Sequence, residues 1–140
     1  MLAAADLAQP APAVEILRLS LHVLAATIWV GGQITLGALV PTLQAAGADV
    51  PRSVARRFSQ VAWPAFVVLV ATGIWNITAV HDQSHVWKTV LMVKVTVVIL
   101  SGITAYLHQR ASSRAGLAVF GALTALTAVS ALVIGVALAG

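Results

Sequence analysis

Four apolar stretches divide this chain, each longer than the about 20 residues a helix needs to cross a bilayer. They run from about Ile16 to Leu43, Phe58 to Val80, Val86 to His108 and Gly116 to Ala139. The polar segments between them are short, so consecutive helices are expected to lie antiparallel as neighbours. The pattern predicts an all-α, integral membrane four-helix bundle with up-down topology. It makes one domain over residues 1–140 and leaves no room for a separate soluble domain.

Composition sharpens this. Among 140 residues there are 8 Lys+Arg and 4 Asp+Glu, so 9% are charged, against about 25% in a soluble domain. Apolar residues make up 60% and the mean hydropathy is +0.98. A soluble fold of this size cannot bury so much apolar surface, and a disordered chain would be far more polar. There is no cysteine, which excludes disulfides, thiolate metal sites and Cys nucleophiles. The formal charge of +4 does not imply nucleic-acid binding, because the basic residues sit beside apolar runs and form no continuous stripe.

The basic residues set an expected orientation. Arg52, Arg56 and Arg57 precede the second span, and Arg110 and Arg114 separate the third from the fourth. The other side carries Arg18 and Lys88 near span ends, with Asp6, Glu15 and Asp82. The positive-inside rule places loops 44–57 and 109–115 in the cytoplasm and both termini outside. Met1–Ala13 has no basic residue and the first apolar run exceeds a signal-peptide core, so span one is expected to be retained despite the small residues Ala46-Gly47-Ala48.

Lys94 is the one basic residue with no topological role. Helical rise places it about 12 Å below the outer end of its span, with His22 at about 9 Å, Thr72 at about 12 Å, Asn76 at about 6 Å and Ser130 at about 13 Å. Each helix thus offers a polar group in the outer half. Arg18, His22, Trp29 and Gln33 share one side of span one, and Trp87, Lys94, Ser101 and His108 recur every seven residues along span three. A charge facing lipid costs several kcal/mol, so the Lys94 face is expected to look inward. Thr72, Asn76 and Ser130 form a candidate polar cluster, either as interhelical hydrogen-bond partners or as ligands. Gly121, Thr124, Ala128, Ala131 and Gly135 make a small-residue seam on span four that admits a close helix, and Gly31-Gly32 makes room for a helix or a flat ligand. In the outer loop, His81 and His85 are four apart, a metal-binding spacing if the segment were helical.

Together three segments resemble the copper resistance protein D (CopD) family. Leu21-His22-Val23-Leu24-Ala25-Ala26-Thr27-Ile28-Trp29-Val30-Gly31-Gly32 resembles its LHxLAAxxWxGG opening, Arg56-Arg57-Phe58-Ser59 its RRFS entry with Thr72-Gly73 as its TG, and Leu91-Met92-Val93-Lys94 its LLxK helix, which runs out to His108-Gln109-Arg110. The similarity covers roughly residues 17–110. It implies a bacterial inner-membrane protein that binds or transports copper, with His22 as central ligand, help from His81, His85 or Met92, and a periplasmic copper partner. Cu(I) favours thiolates and thioethers, and Met92 is the one methionine besides Met1.

The chain is also similar, more distantly, to the HemJ-type protoporphyrinogen oxidases in its His22, Trp29, Trp87 and Lys94. That resemblance implies haem b with His22 as axial ligand, Lys94 near a propionate or on the distal side, Trp29 beside the site, Arg18 on a propionate and a redox partner. The chain would then be an oxidoreductase. A third alternative is a non-catalytic membrane subunit that associates through the span-four seam. Four helices make a thin wall for a permeation path, and a homodimer is consistent with that.

Overall fold

The computed structural model describes residues 10–139; Asp6 lies outside them. Four helices, each long and apolar enough to cross a membrane, make up the fold: α1 (Ala13–Ala46), α2 (Val50–Thr78), α3 (His85–Arg110) and α4 (Arg114–Ala139). The protein is an all-α, membrane-spanning four-helix bundle. Its helices are longer than the apolar runs that announce them. Arg52, Arg56 and Arg57, expected in a loop, occupy the first turns of α2, and the true linker is residues 47–49. Amphipathic residues at a span end can stay helical while their charged groups reach water.

Local chemistry explains the boundaries. Gly47 (φ 156°, ψ 151°) breaks the chain out of α1, a conformation costly for any residue with a Cβ. At the other end of the bundle Gln83 donates its amide N–H to the carbonyls of Ile77 (3.3 Å) and Val80 (3.0 Å), closing the frayed end of α2. Ser84 then caps α3 by accepting from the Trp87 amide at 3.1 Å. His81 therefore lies in the loop while His85 opens α3, so the two do not share the helical turn that their spacing would need.

The interior is built from small residues and the exterior from large ones. Ala25, Ala62, Ala65, Ala105, Ala128, Ser101, Thr72 and Thr124 are buried, whereas Val67, Met92, Leu126 and Val136 are each more than half exposed. In a soluble protein this would be inside-out. In lipid, exposed Leu and Val cost nothing, and close approach of small residues supplies the packing. Trp29 is the large exception, at 3% exposed. It meets Trp63 edge-on (5.6 Å between centroids, 62°) and Phe66 at 4.4 Å.

Helix α1 accommodates that ring by a π-helical turn over Thr27–Gly31, flanked by regular α-helix. The wider turn brings the adjacent side chains of Trp29 and Val30 into the core together, which a strict α-helix does poorly. Thr27 adds to the local distortion by donating its hydroxyl to the Val23 carbonyl at 2.8 Å. Such turns are frequent at functional sites.

The bundle packs as two pairs, α1 with α2 and α3 with α4, and backbones from different pairs approach closely where α4 meets the π-turn. The small-residue seam of α4 is used internally. Thr124 and Ala128 are buried, the His108 ring lies over Gly121, and Lys94 reaches Gly135. The seam's buried positions thus pack inside the bundle, against α3 and the π-turn.

Candidate functional site

The polar residues of the bundle gather at the end that carries Ala13, Thr78, His85 and Ala139. His22 and Lys94 both stand nine residues into their helices, hence at the same depth of about 14 Å. His22 Nδ1 lies 2.9 Å from the Thr72 hydroxyl across the α1–α2 contact. One turn outward, an Arg18 guanidinium N–H donates to the Asn76 carbonyl at 3.5 Å. Because 18 and 22 are one turn apart on α1, and 72 and 76 on α2, these contacts form two rungs between the helices.

The first rung offers the imidazole a defined hydrogen-bond partner. Thr72 has a single hydroxyl proton, which it donates down its own helix to the Val68 carbonyl at 2.7 Å. With its proton so placed, Thr72 is free to accept from Nδ1–H in the Nδ1 tautomer of His22. In the neutral ring the lone pair is then on Nε2. Metal-binding imidazoles are held in this manner, with one nitrogen donating to a neighbour and the other free for a ligand. The ring packs beside Gly73 on α2, where a Cβ would make an ordinary contact 3.6 Å from Cε1 of His22.

Charge is the second property of the site. The Arg18 side chain is only 11% exposed and its carboxylate partner is Glu15, 4.0 Å away and 44% exposed. Lys94 passes over Gly135 on α4, where a Cβ would lie 3.0 Å from Nζ. One turn above His22, the amide oxygen Oδ1 of Asn76 is buried without a hydrogen-bond partner. The half-site thus brings together two basic side chains, an imidazole and a spare acceptor.

The inward face of α3 is as its seven-residue spacing predicts. Trp87 donates its indole N–H to the Leu138 carbonyl on α4 at 3.4 Å, and Ser101 (1% exposed) accepts the Trp29 indole N–H at 3.0 Å. His108, at the Arg-rich end, donates Nδ1–H to the Leu117 carbonyl at 2.9 Å. Among the described residues, the side-chain hydrogen bonds that tie one helix pair to the other are Trp29–Ser101 and Trp63–Gln109. Both lie in the middle or the Arg-rich half. Near His22 the polar bonds stay within a pair.

The remaining sequence candidates are placed elsewhere. Ser130 is exposed on α4, apart from Thr72 and Asn76. His81 and His85 are exposed at the loop, and Met92 is 65% exposed on the outside of α3. Among the described residues no three His, Asp or Glu side chains group as metal ligands. Gly32, considered as room for a helix or flat ligand, is covered by the Phe58 ring, while the space around Gly31 is open. Sequence reasoning overlooked two contributors. Gly73 could have been noted as the neighbour of Thr72, and Gly135 as a socket for a basic side chain.

Family models, curated proteins and solved structures yield no match to this chain.

Proposed function

We propose that this chain is a membrane redox protein that holds haem b through Nε2 of His22. The observation that carries this is the Thr72 contact, which leaves the Nε2 lone pair available within an apolar bundle. The charges favour the same ligand. Haem brings two propionates, and Arg18 stands one turn from His22, with Lys94 at the same depth. A bare copper ion would meet a single imidazole and two cations there, with His81, His85 and Met92 all exposed elsewhere. The resemblances to CopD and HemJ-type proteins support a metal-linked role in the bacterial inner membrane.

In this role bound haem supplies one-electron chemistry. The protein's part is positional. Thr72 holds the imidazole in one tautomer and one orientation. Arg18 offers a propionate a guanidinium that always carries charge. The small-residue core around the ring keeps the helices close.

Absorption of the purified protein tests the proposal. A Soret band is expected, lost in His22→Ala and restored by added imidazole, which fills the space left by the side chain. A colourless wild-type protein that binds one equivalent of copper through His22 would replace haem with copper. A colourless protein without metal would leave a non-catalytic subunit.

A further inference from the structure

We infer that the start of α2 is a binding site for an anionic phospholipid: the lipid phosphate sits in a cleft with Arg52 and Arg56, and its acyl chains run along the exposed face of the same helix. This is independent of the role of His22. Its basis is charge first. Arg52, Arg56 and Arg57 on α2, Arg110 at the end of α3 and Arg114 at the start of α4 lie at one end of the bundle, and all five are exposed. The one described acid at that end is Asp49. Five less one is +4, which equals the formal net charge of the whole chain. Among the described residues none of the five has a carboxylate within ion-pairing distance, Arg18–Glu15 being the ion pair present.

Depth narrows the partner. The apolar run of α2 begins at Phe58, so Arg56 stands about 3 Å and Arg52 about 9 Å beyond it along the helix axis. At the end of α3 the Arg110 guanidinium lies 5.2 Å from the centre of the Tyr106 ring, which is 49% exposed. Aromatic and basic residues mark the headgroup level of a bilayer in this way. The guanidiniums are thus held where lipid phosphates lie, and their planar forks match phosphate oxygens.

Shape selects one place among the five. Asp49, Arg52, Ser53 and Arg56 line an open cleft of about 210 Å³. Arg52 and Arg56 are one turn apart, so both can face one anion, and the Ser53 hydroxyl adds a neutral donor. Asp49 opposes the anion, and the cleft stays positive by one charge. From Ser53 a single face of α2 continues through Gln60, Val67 and Ile74, seven residues apart each time. Val67 is 64% and Ile74 59% exposed. A phosphate seat that leads onto an uncovered apolar track fits an amphiphile, whereas a soluble phosphate would leave the track unused.

Native mass spectrometry of the full chain in a maltoside micelle, titrated with phosphatidylglycerol, phosphatidylethanolamine or phosphatidylcholine, tests this. Phosphatidylglycerol is expected to bind at least about tenfold more tightly than either zwitterionic lipid, and Arg52→Gln with Arg56→Gln to remove that preference. Arg52→Lys with Arg56→Lys should keep most of it. Arg110→Gln with Arg114→Gln removes as much charge away from the cleft and should change it far less, while Asp49→Asn should tighten binding. These positions are exposed, so the helical circular dichroism of each variant should match wild type. Equal losses from the two Arg→Gln pairs would overturn the cleft in favour of a diffuse field. Tighter binding of phosphatidylethanolamine, weakened by Asp49→Asn, would overturn it in favour of a zwitterionic headgroup with its ammonium on Asp49. Displacement of phosphatidylglycerol by an equal concentration of inorganic phosphate would overturn the lipid in favour of a soluble phosphate. No preference among the three lipids would overturn the inference altogether.

Discussion

Thr72→Val removes one hydroxyl and almost no volume. Thr72 is 5% exposed, so water cannot substitute for the missing group. The lost contact is the 2.9 Å bond from His22. Interhelical hydrogen bonds in membranes average about 0.6 kcal/mol and reach about 1.7, while a buried donor left without an acceptor costs about 1–3 kcal/mol. The imidazole can escape the larger penalty by moving its proton from Nδ1 to Nε2. The expected stability loss is therefore about 1 kcal/mol, and the Nε2 lone pair is lost with it. Thr72→Ser keeps the hydroxyl and should behave as wild type. Unfolding in detergent by a graded denaturant measures the first effect. Nitrogen-15 NMR of labelled histidine in the ligand-free protein measures the second, because protonated and bare ring nitrogens differ widely in shift. If haem is bound, its affinity should fall by about 10- to 100-fold. A Thr72→Val protein with His22 still protonated at Nδ1, and stability within about 0.5 kcal/mol of wild type, would refute the tautomer argument.

Gly102→Val should destabilise by about 1–3 kcal/mol, because a Cβ there would lie 2.9 Å from Cζ of Phe66; adding Phe66→Leu should recover much of the loss in the same unfolding assay. Leu126 is 65% exposed and Ala128 only 2%, so Leu126→Ala should change stability by less than about 0.5 kcal/mol in a bilayer, whereas Ala128→Leu should separate α4 from its neighbours and destabilise the fold. Single cysteines at Arg56 and Asp82, labelled in intact cells by a membrane-impermeant thiol reagent, should report Asp82→Cys accessible and Arg56→Cys protected. The opposite labelling would reverse the orientation expected from the arginines.

The fold was legible in one dimension because the bilayer is a stringent solvent. A run of apolar residues with no charge has few structural options in hydrocarbon, so composition and run length named four helices. Their ends were harder to place. Arginines mark where a span leaves the membrane, not where its backbone stops being helical, and α2 begins several residues before its apolar run. The inward face of α3 was legible too, since Trp87, Lys94, Ser101 and His108 recur at one helical spacing.

Which polar residues meet was not legible. Depth put Ser130 level with His22 and Thr72, yet rotation about α4 turns it outward, because that helix gives its glycine and alanine face to α3. The loop histidines had a ligand spacing, but the caps made by Gln83 and Ser84 fix a backbone path that separates them. The sequence by itself determined that this is a four-span membrane protein with His22 and Lys94 at one depth. Tertiary structure decided that His22 meets Thr72, and that buried positions of the α4 seam are used inside the molecule. The physical reason is that helix depth follows from chain length alone. Helix rotation depends on which small residues allow two backbones to approach, and that is a property of the pair.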